Sequence, residues 1–101
     1  MATYTELYDL SNNSALKNKI AVAVVIAANM IRTESDQTAN HVNRLLWAKG
    51  ALENPLGEAS RMLWGALAQN SGLTVAQITG ATDAALQTAV NNAVDLFATG
   101  G

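Results

Sequence analysis

The chain has 101 residues, room for one domain and not for two. Half of them are apolar, none is cysteine, and the formal net charge is −2. Disulfides, thiolate metal sites and cysteine nucleophiles are excluded, and the balance supplies no basic stripe of the kind that marks a nucleic-acid-binding face. Much of the apolar content is alanine, which favours helix over sheet and buries little surface per residue, so a thin-cored, all-α fold is expected.

Thr3-Tyr4-Thr5-Glu6 fits a capping box with Thr3 as N-cap, opening a short helix to about Leu10 with Leu7 and Leu10 inward. Ser11-Asn12-Asn13-Ser14 is a break rich in capping residues. A central helix is expected over about 13–33. Within it, eleven of the twelve residues 20–31 are apolar, and only Asn29 interrupts. A helix apolar on every side must be covered on every side, which predicts a compact bundle of about four to five helices wrapped around this one. Twelve helical residues reach roughly 18 Å, short of the roughly 30 Å of a bilayer core. The segment before them carries Glu6 and Asp9 as well as Lys17 and Lys19, unlike the short basic start of a signal peptide. A buried helix is therefore expected, and no membrane partner.

A polar connection over 33–38 precedes a third helix, near Thr38 to Glu53, with Val42, Leu45, Leu46 and Leu52 on its apolar face and Gly50 weakening it. Asn54-Pro55 is a stop, because the residue before proline avoids the helical region. A fourth helix runs from Pro55 or Leu56 to about Asn70, with Ala59, Met62, Leu63, Ala66 and Leu67 at the helical period, and Ser71-Gly72 ends it. Residues 74–79 have the β-branched content of a short strand, but no partner strand exists elsewhere. A single helical turn capped by Thr74 is preferred. The last helix spans about 82–98, with Leu86, Val90, Ala93, Val94 and Phe97 on one stripe and Asp83 near its positive end. All of this is one helical domain, 1–101.

Chemistry-bearing residues are sparse. His41 is the sole histidine, and neither Glu34 nor Asp36 stands at helical spacing to it, so it reads as a surface residue. No carboxylate pair stands at ligand spacing with it, so no metal is expected. Glu53 and Glu58 flank a turn but have no cleft in which to act as a hydrolytic pair. No lysine follows any glycine at the spacing of a phosphate loop. Neither a catalytic residue nor a cofactor site is expected, and the chain reads as non-enzymatic.

Two features point to contacts instead. Arg44-Leu45-Leu46-Trp47 recurs as Arg61-Met62-Leu63-Trp64, on helices expected to form an antiparallel hairpin. Each arginine can stack on its tryptophan. The tryptophans either fill the groove between helices or anchor an oligomer interface, where Trp and Arg are enriched. All six basic residues lie at or before Arg61, and from 62 to 101 only Asp83 and Asp95 are charged. Interface cores are depleted of charge, so this surface, with Leu73, Val75 and Ile78 as exposed apolar candidates beside Trp47 and Trp64, is the expected contact between copies.

Asn40-His41-Val42-Asn43-Arg44-Leu45-Leu46-Trp47-Ala48-Lys49 and Val75-Ala76-Gln77-Ile78-Thr79-Gly80-Ala81-Thr82-Asp83-Ala84-Ala85 resemble small virion proteins of tailed bacteriophages. Within that group the resemblance is to head-to-tail connector (adaptor) proteins, short all-helical subunits that assemble as a ring below the portal. It implies a structural virion protein assembled in the host cytoplasm. Its partners would be copies of itself and portal or tail components, with no cofactor and no specific nucleic acid. Such connectors often carry a long mobile loop or tail, whereas the loops here are short. A capsid-decorating or tail-associated role stays open. So does a small helical DNA-binding regulator with a helix-turn-helix near 59–81, although 74–80 lacks the basic side chains that a recognition helix offers.

Overall fold

The structure, a computed structural model, describes residues 2–34 and 39–99. Among the described residues there are six helices and no strand. They are α1 (Tyr4–Leu10), α2 (Lys17–Glu34), α3 (Ala39–Glu53), α4 (Glu58–Ser71), α5 (Val75–Gly80) and α6 (Asp83–Thr99). The all-α bundle read from composition and periodicity is the fold observed.

Local chemistry starts and stops these helices. The hydroxyl of Thr3 accepts from the Glu6 N–H at 3.2 Å, and the Glu6 carboxylate accepts from the Thr3 N–H at 3.0 Å, a complete capping box on α1. α5 has the same box, with Thr74 and Gln77 exchanging bonds of 2.9 and 3.1 Å, so the β-branched stretch is helical. The Asn13 side chain accepts from the Ala15 N–H at 2.9 Å and its carbonyl from the Lys17 N–H at 2.8 Å, so a helical bond pattern leads into α2 from Asn13. Between α3 and α4 the chain makes a tight turn, with the Gly57 N–H donating to the Asn54 carbonyl at 2.9 Å. Pro55 occupies the second turn position, where its fixed φ belongs. That turn delays α4 to Glu58, later than the start expected at Pro55 or Leu56.

α2, α3, α4 and α6 form a ring of neighbours, α2 packing on α3 and α6, α4 on the same two, with α2 and α4 meeting across the middle. α1 lies on α4 and touches α5. The Lys19 ammonium donates to the Ala81 carbonyl at 2.7 Å, which sets the start of α6 beside the start of α2. The core is built from Leu7, Ile20, Val24, Ile31, Leu63, Trp64, Leu67, Ile78, Leu86, Val90 and Val94, filled in by alanines of α2, α3 and α4.

α2 touches three other helices, as a central helix should, but its wrapping is incomplete. Ile20, Val24, Ala27, Ala28 and Ile31 are buried. Val22 is 51% exposed, Val25 and Ile26 are half-buried, and Asn29 is exposed. A helix with neighbours on two flanks and across the middle keeps one stripe outward, and here that stripe carries Val22, Val25 and Ile26 between the exposed Asn18 and Asn29. α3 also differs from its expected face: Ala48 and Ala51 are buried while Leu46 is 57% exposed. A Cβ on Gly50 would lie 2.6 Å from the Ala59 Cβ, so Gly50 lets α3 approach α4 at that point. The expectations for 35–38, and for the side chains of Val42 and Phe97, lie outside the described residues.

Candidate interaction surface

The interface residues expected from sequence divide into two groups. Trp64 and Ile78 are 0% exposed, so neither is on a surface that a partner can touch. Trp64 is covered because α1 packs over α4, and its indole N–H donates to the Leu7 carbonyl at 2.8 Å. That bond satisfies the one polar atom of the ring, which permits full burial. Ile78 is covered because α5 is a helix turned into the core rather than an exposed loop. Trp47, Leu73 and Val75 are half-buried and packed against the core.

The α1–α4 contact is a polar clamp over an aromatic floor. The Arg61 guanidinium lies 4.2 Å from the centre of the Tyr8 ring. It donates to the Ser11 hydroxyl at 3.0 Å and to the Tyr8 carbonyl at 3.4 Å, and stands 4.0 Å from the Glu58 carboxylate. The Tyr8 hydroxyl donates to Glu58, and Tyr4 stacks on Tyr8 with centroids 6.1 Å apart. So Arg61 stacks on Tyr8, and the expected pairing with Trp64 is replaced because that indole faces inward. The carboxylate of Glu58 beside the Tyr8 phenol raises the phenol's pKa from its usual 10.0, with burial adding to the rise. The Thr3 N–H and hydroxyl hold the Glu6 carboxyl below its usual range. A Cβ on Gly65 would stand 2.7 Å from the Tyr4 ring, so glycine there is what lets α1 lie so close.

Unmatched surface lies elsewhere. Val22, Leu46 and Leu56 are the large apolar side chains most exposed among the described residues. A hollow of about 230 Å³ beside them is lined by Ala21, Val22, Val25, Ile26 and Pro55. A second, of about 520 Å³, is lined by Arg32 of α2 and by Leu45, Lys49, Leu52 and Glu53 of α3. The first lies between α2 and the α3–α4 turn, and the second in the seam between α2 and α3. On the far side of α4, a third hollow of about 470 Å³ is lined by Glu6, Asp9, Leu10, Asn12, Asn13 and Val75. One sequence signal did mark the seam: Asn29 is three, four and seven residues from Ile26, Val25 and Val22, and a lone polar residue at those spacings tags the outward face.

The low charge after Arg61 has a different texture from the seam. The exposed positions over 75–88 are Ala76, Gln77, Thr79, Gly80, Thr82, Asp83, Ala84, Ala85 and Thr88, all small or polar. Glu53 lines the seam hollow and Glu58 holds Tyr8, so each has its own setting. Among the described residues, no group of three or more His, Asp or Glu is placed to hold a metal, and no helix is long and apolar enough to cross a membrane. The reading of His41 lies outside the described side chains. Compared with protein-family models, with curated proteins and with solved structures, the chain matches none.

Proposed function

We propose that the protein is a non-enzymatic structural subunit of a tailed-bacteriophage virion, a head-to-tail connector (adaptor) that works as a ring of copies at the portal vertex. The observation that carries the assembly half of this reading is the uncovered apolar seam. A bundle that closes its core over Trp64 and Ile78 still leaves Val22, Leu46 and Leu56 in water. Burying apolar area is worth roughly 25 cal/mol per Å², so a partner that covers these side chains gains stability. The virion half rests on the resemblance of residues 40–49 and 75–85 to small phage virion proteins.

The contact surface moves with the geometry. Trp64 and Ile78 serve the subunit's own core, Trp47, Leu73 and Val75 remain at its edge, and the α2–α3 seam joins them. The regulator reading has less support, since α5 buries Ile78 and offers Ala76, Gln77 and Thr79 outward, with no cation for a phosphate or a base.

The test is to band virions on a density gradient and probe them with an antibody to this chain. The chain should co-band with particles and label a single vertex by electron microscopy. Label over the whole capsid, or along the tail, would replace the connector with a decorating or tail-associated protein. Absence from the particle overturns the virion reading, and a stoichiometric metal that survives dialysis overturns the absence of a cofactor.

A further inference from the structure

The two larger hollows are complementary in charge and alike in floor. The α2–α3 seam is lined by Arg32, Lys49 and Glu53 together with Leu45 and Leu52. Neither cation makes an ion pair among the described residues. The α1 flank presents Glu6 and Asp9 around Leu10 and Val75. Each lining therefore combines two apolar side chains with charged ones, and the net charges are opposite in sign: two cations and one anion on the seam, two anions on the flank. α3 and α1 both pack on α4, and the two hollows share no lining residue. One copy can thus offer its α1 flank to a neighbour while its own seam stays open.

We propose that the α2–α3 seam of one copy receives the α1–α5 flank of the next, Arg32 and Lys49 against Glu6 and Asp9, and Leu45 and Leu52 against Leu10 and Val75. The occupant is a second copy because the complementary surface is present on the same chain. The contact is limited by its smaller face: α1 and α5, of seven and six residues, offer roughly 200 Å², so charge complementarity rather than area supplies its specificity. The contact joins unlike patches, so it is head-to-tail, and it closes into a ring when the rotation closes. This rests on the reading of the protein as a self-assembling subunit, and it names the two surfaces that reading needs.

The experiment is a charge exchange on the full chain, read by sedimentation equilibrium from micromolar to millimolar concentration. Asp9 and Lys49 are both exposed, so Asp9→Lys and Lys49→Glu should keep the parent's helical circular dichroism and melting temperature. Each alone should weaken self-association about tenfold, since like charges then face each other. An equimolar mixture of the two variants should recover parental association, because each seam then meets a flank of opposite sign. The double variant should recover it too, and added salt should weaken parental association.

Parental association in both single variants overturns the contact while the parent's own oligomer leaves the structural reading standing. Loss on Ile26→Asp with no effect of Asp9→Lys also overturns it, and assigns the seam to a two-fold pairing with itself. A parent that stays monomeric at millimolar concentration overturns the contact as well, and vertex labelling of the virion then decides the structural reading separately.

Discussion

The two flanks of α4 solve the same packing problem differently. On one side α1, only seven residues long, is held by an indole bond, a guanidinium over a phenol and two hydrogen bonds from Arg61. On the other side α3, twice as long, lies against α4 through Gly50 and Ala59 and joins α2 in a hairpin whose outer seam is open. The short helix needs directional contacts because its apolar area is small. The long hairpin has apolar area enough to pack closely and still leaves Val22 and Leu46 exposed. The first flank is fixed to α4 by polar contacts, and the second keeps more apolar surface uncovered.

The largest test of this contrast compares two valines of α2. Val24 is fully buried and Val22 is half in water. Val24→Asp leaves an unpaired charge in the core and should cost about 3–5 kcal/mol, whereas Val22→Asp should change stability by no more than about 0.5 kcal/mol. Urea titrations followed by circular dichroism measure both. Equal losses would mean that α2 is enclosed on all sides after all.

Next come the two tryptophans. Trp64→Ala empties a site inside the core and unpairs the Leu7 carbonyl, a loss of about 3–5 kcal/mol. Trp47→Ala, at a half-exposed position, should lose less than half as much in the same titration. The reverse order would break the distinction between the flanks.

A smaller effect separates the clamp from the core. Gly65→Ala drives a Cβ into the Tyr4 ring and should cost about 1–3 kcal/mol by forcing α1 off α4. Nuclear magnetic resonance shifts should concentrate in residues 2–16 and spare the α2–α3 hairpin.

The smallest is a pH effect. The phenol of Tyr8 has its pKa raised when folded, chiefly by the Glu58 carboxylate. A group raised on folding stabilises below its unfolded pKa and stops doing so as pH rises through the folded one. The parent's melting-temperature advantage over Tyr8→Phe should therefore be flat at neutral pH and fall away in the alkaline range above 10.0. An advantage unchanged into that range would remove the Tyr8–Glu58 bond from the clamp.

Element by element, the fold was legible because its signals are local. Thr3 and Glu6, Thr74 with its helical turn, Asn54-Pro55 and the stripe through Leu86, Val90 and Val94 all act within one or two turns of chain. The surface was not legible because it depends on which neighbours arrive. Trp47 and Trp64 sit in nearly the same tetrapeptide, and they differ because α1, more than fifty residues away in sequence, covers only the second. Near-uniform apolarity over 20–31 leaves Asn29 as the lone mark of the outward stripe through Val22. Gly50 was read through its helix propensity, whereas its role is the space it leaves for Ala59. Ile78 looks like an exposed apolar candidate because a six-residue helix gives little periodicity with which to see its inward side.

The Trp64–Leu7 bond also has a consequence for synthesis. Its two residues are 57 apart, so Leu7 leaves the ribosome long before its partner exists. The N-terminal segment can form its capped turn early, but it has no place to dock until α4 has been made. Long-range contacts of this kind close after local ones. Docking of residues 2–16 is then a late event, and until it occurs the indole of Trp64 is open to water. Tryptophan emission in a variant with Trp47 replaced by phenylalanine follows that closure directly.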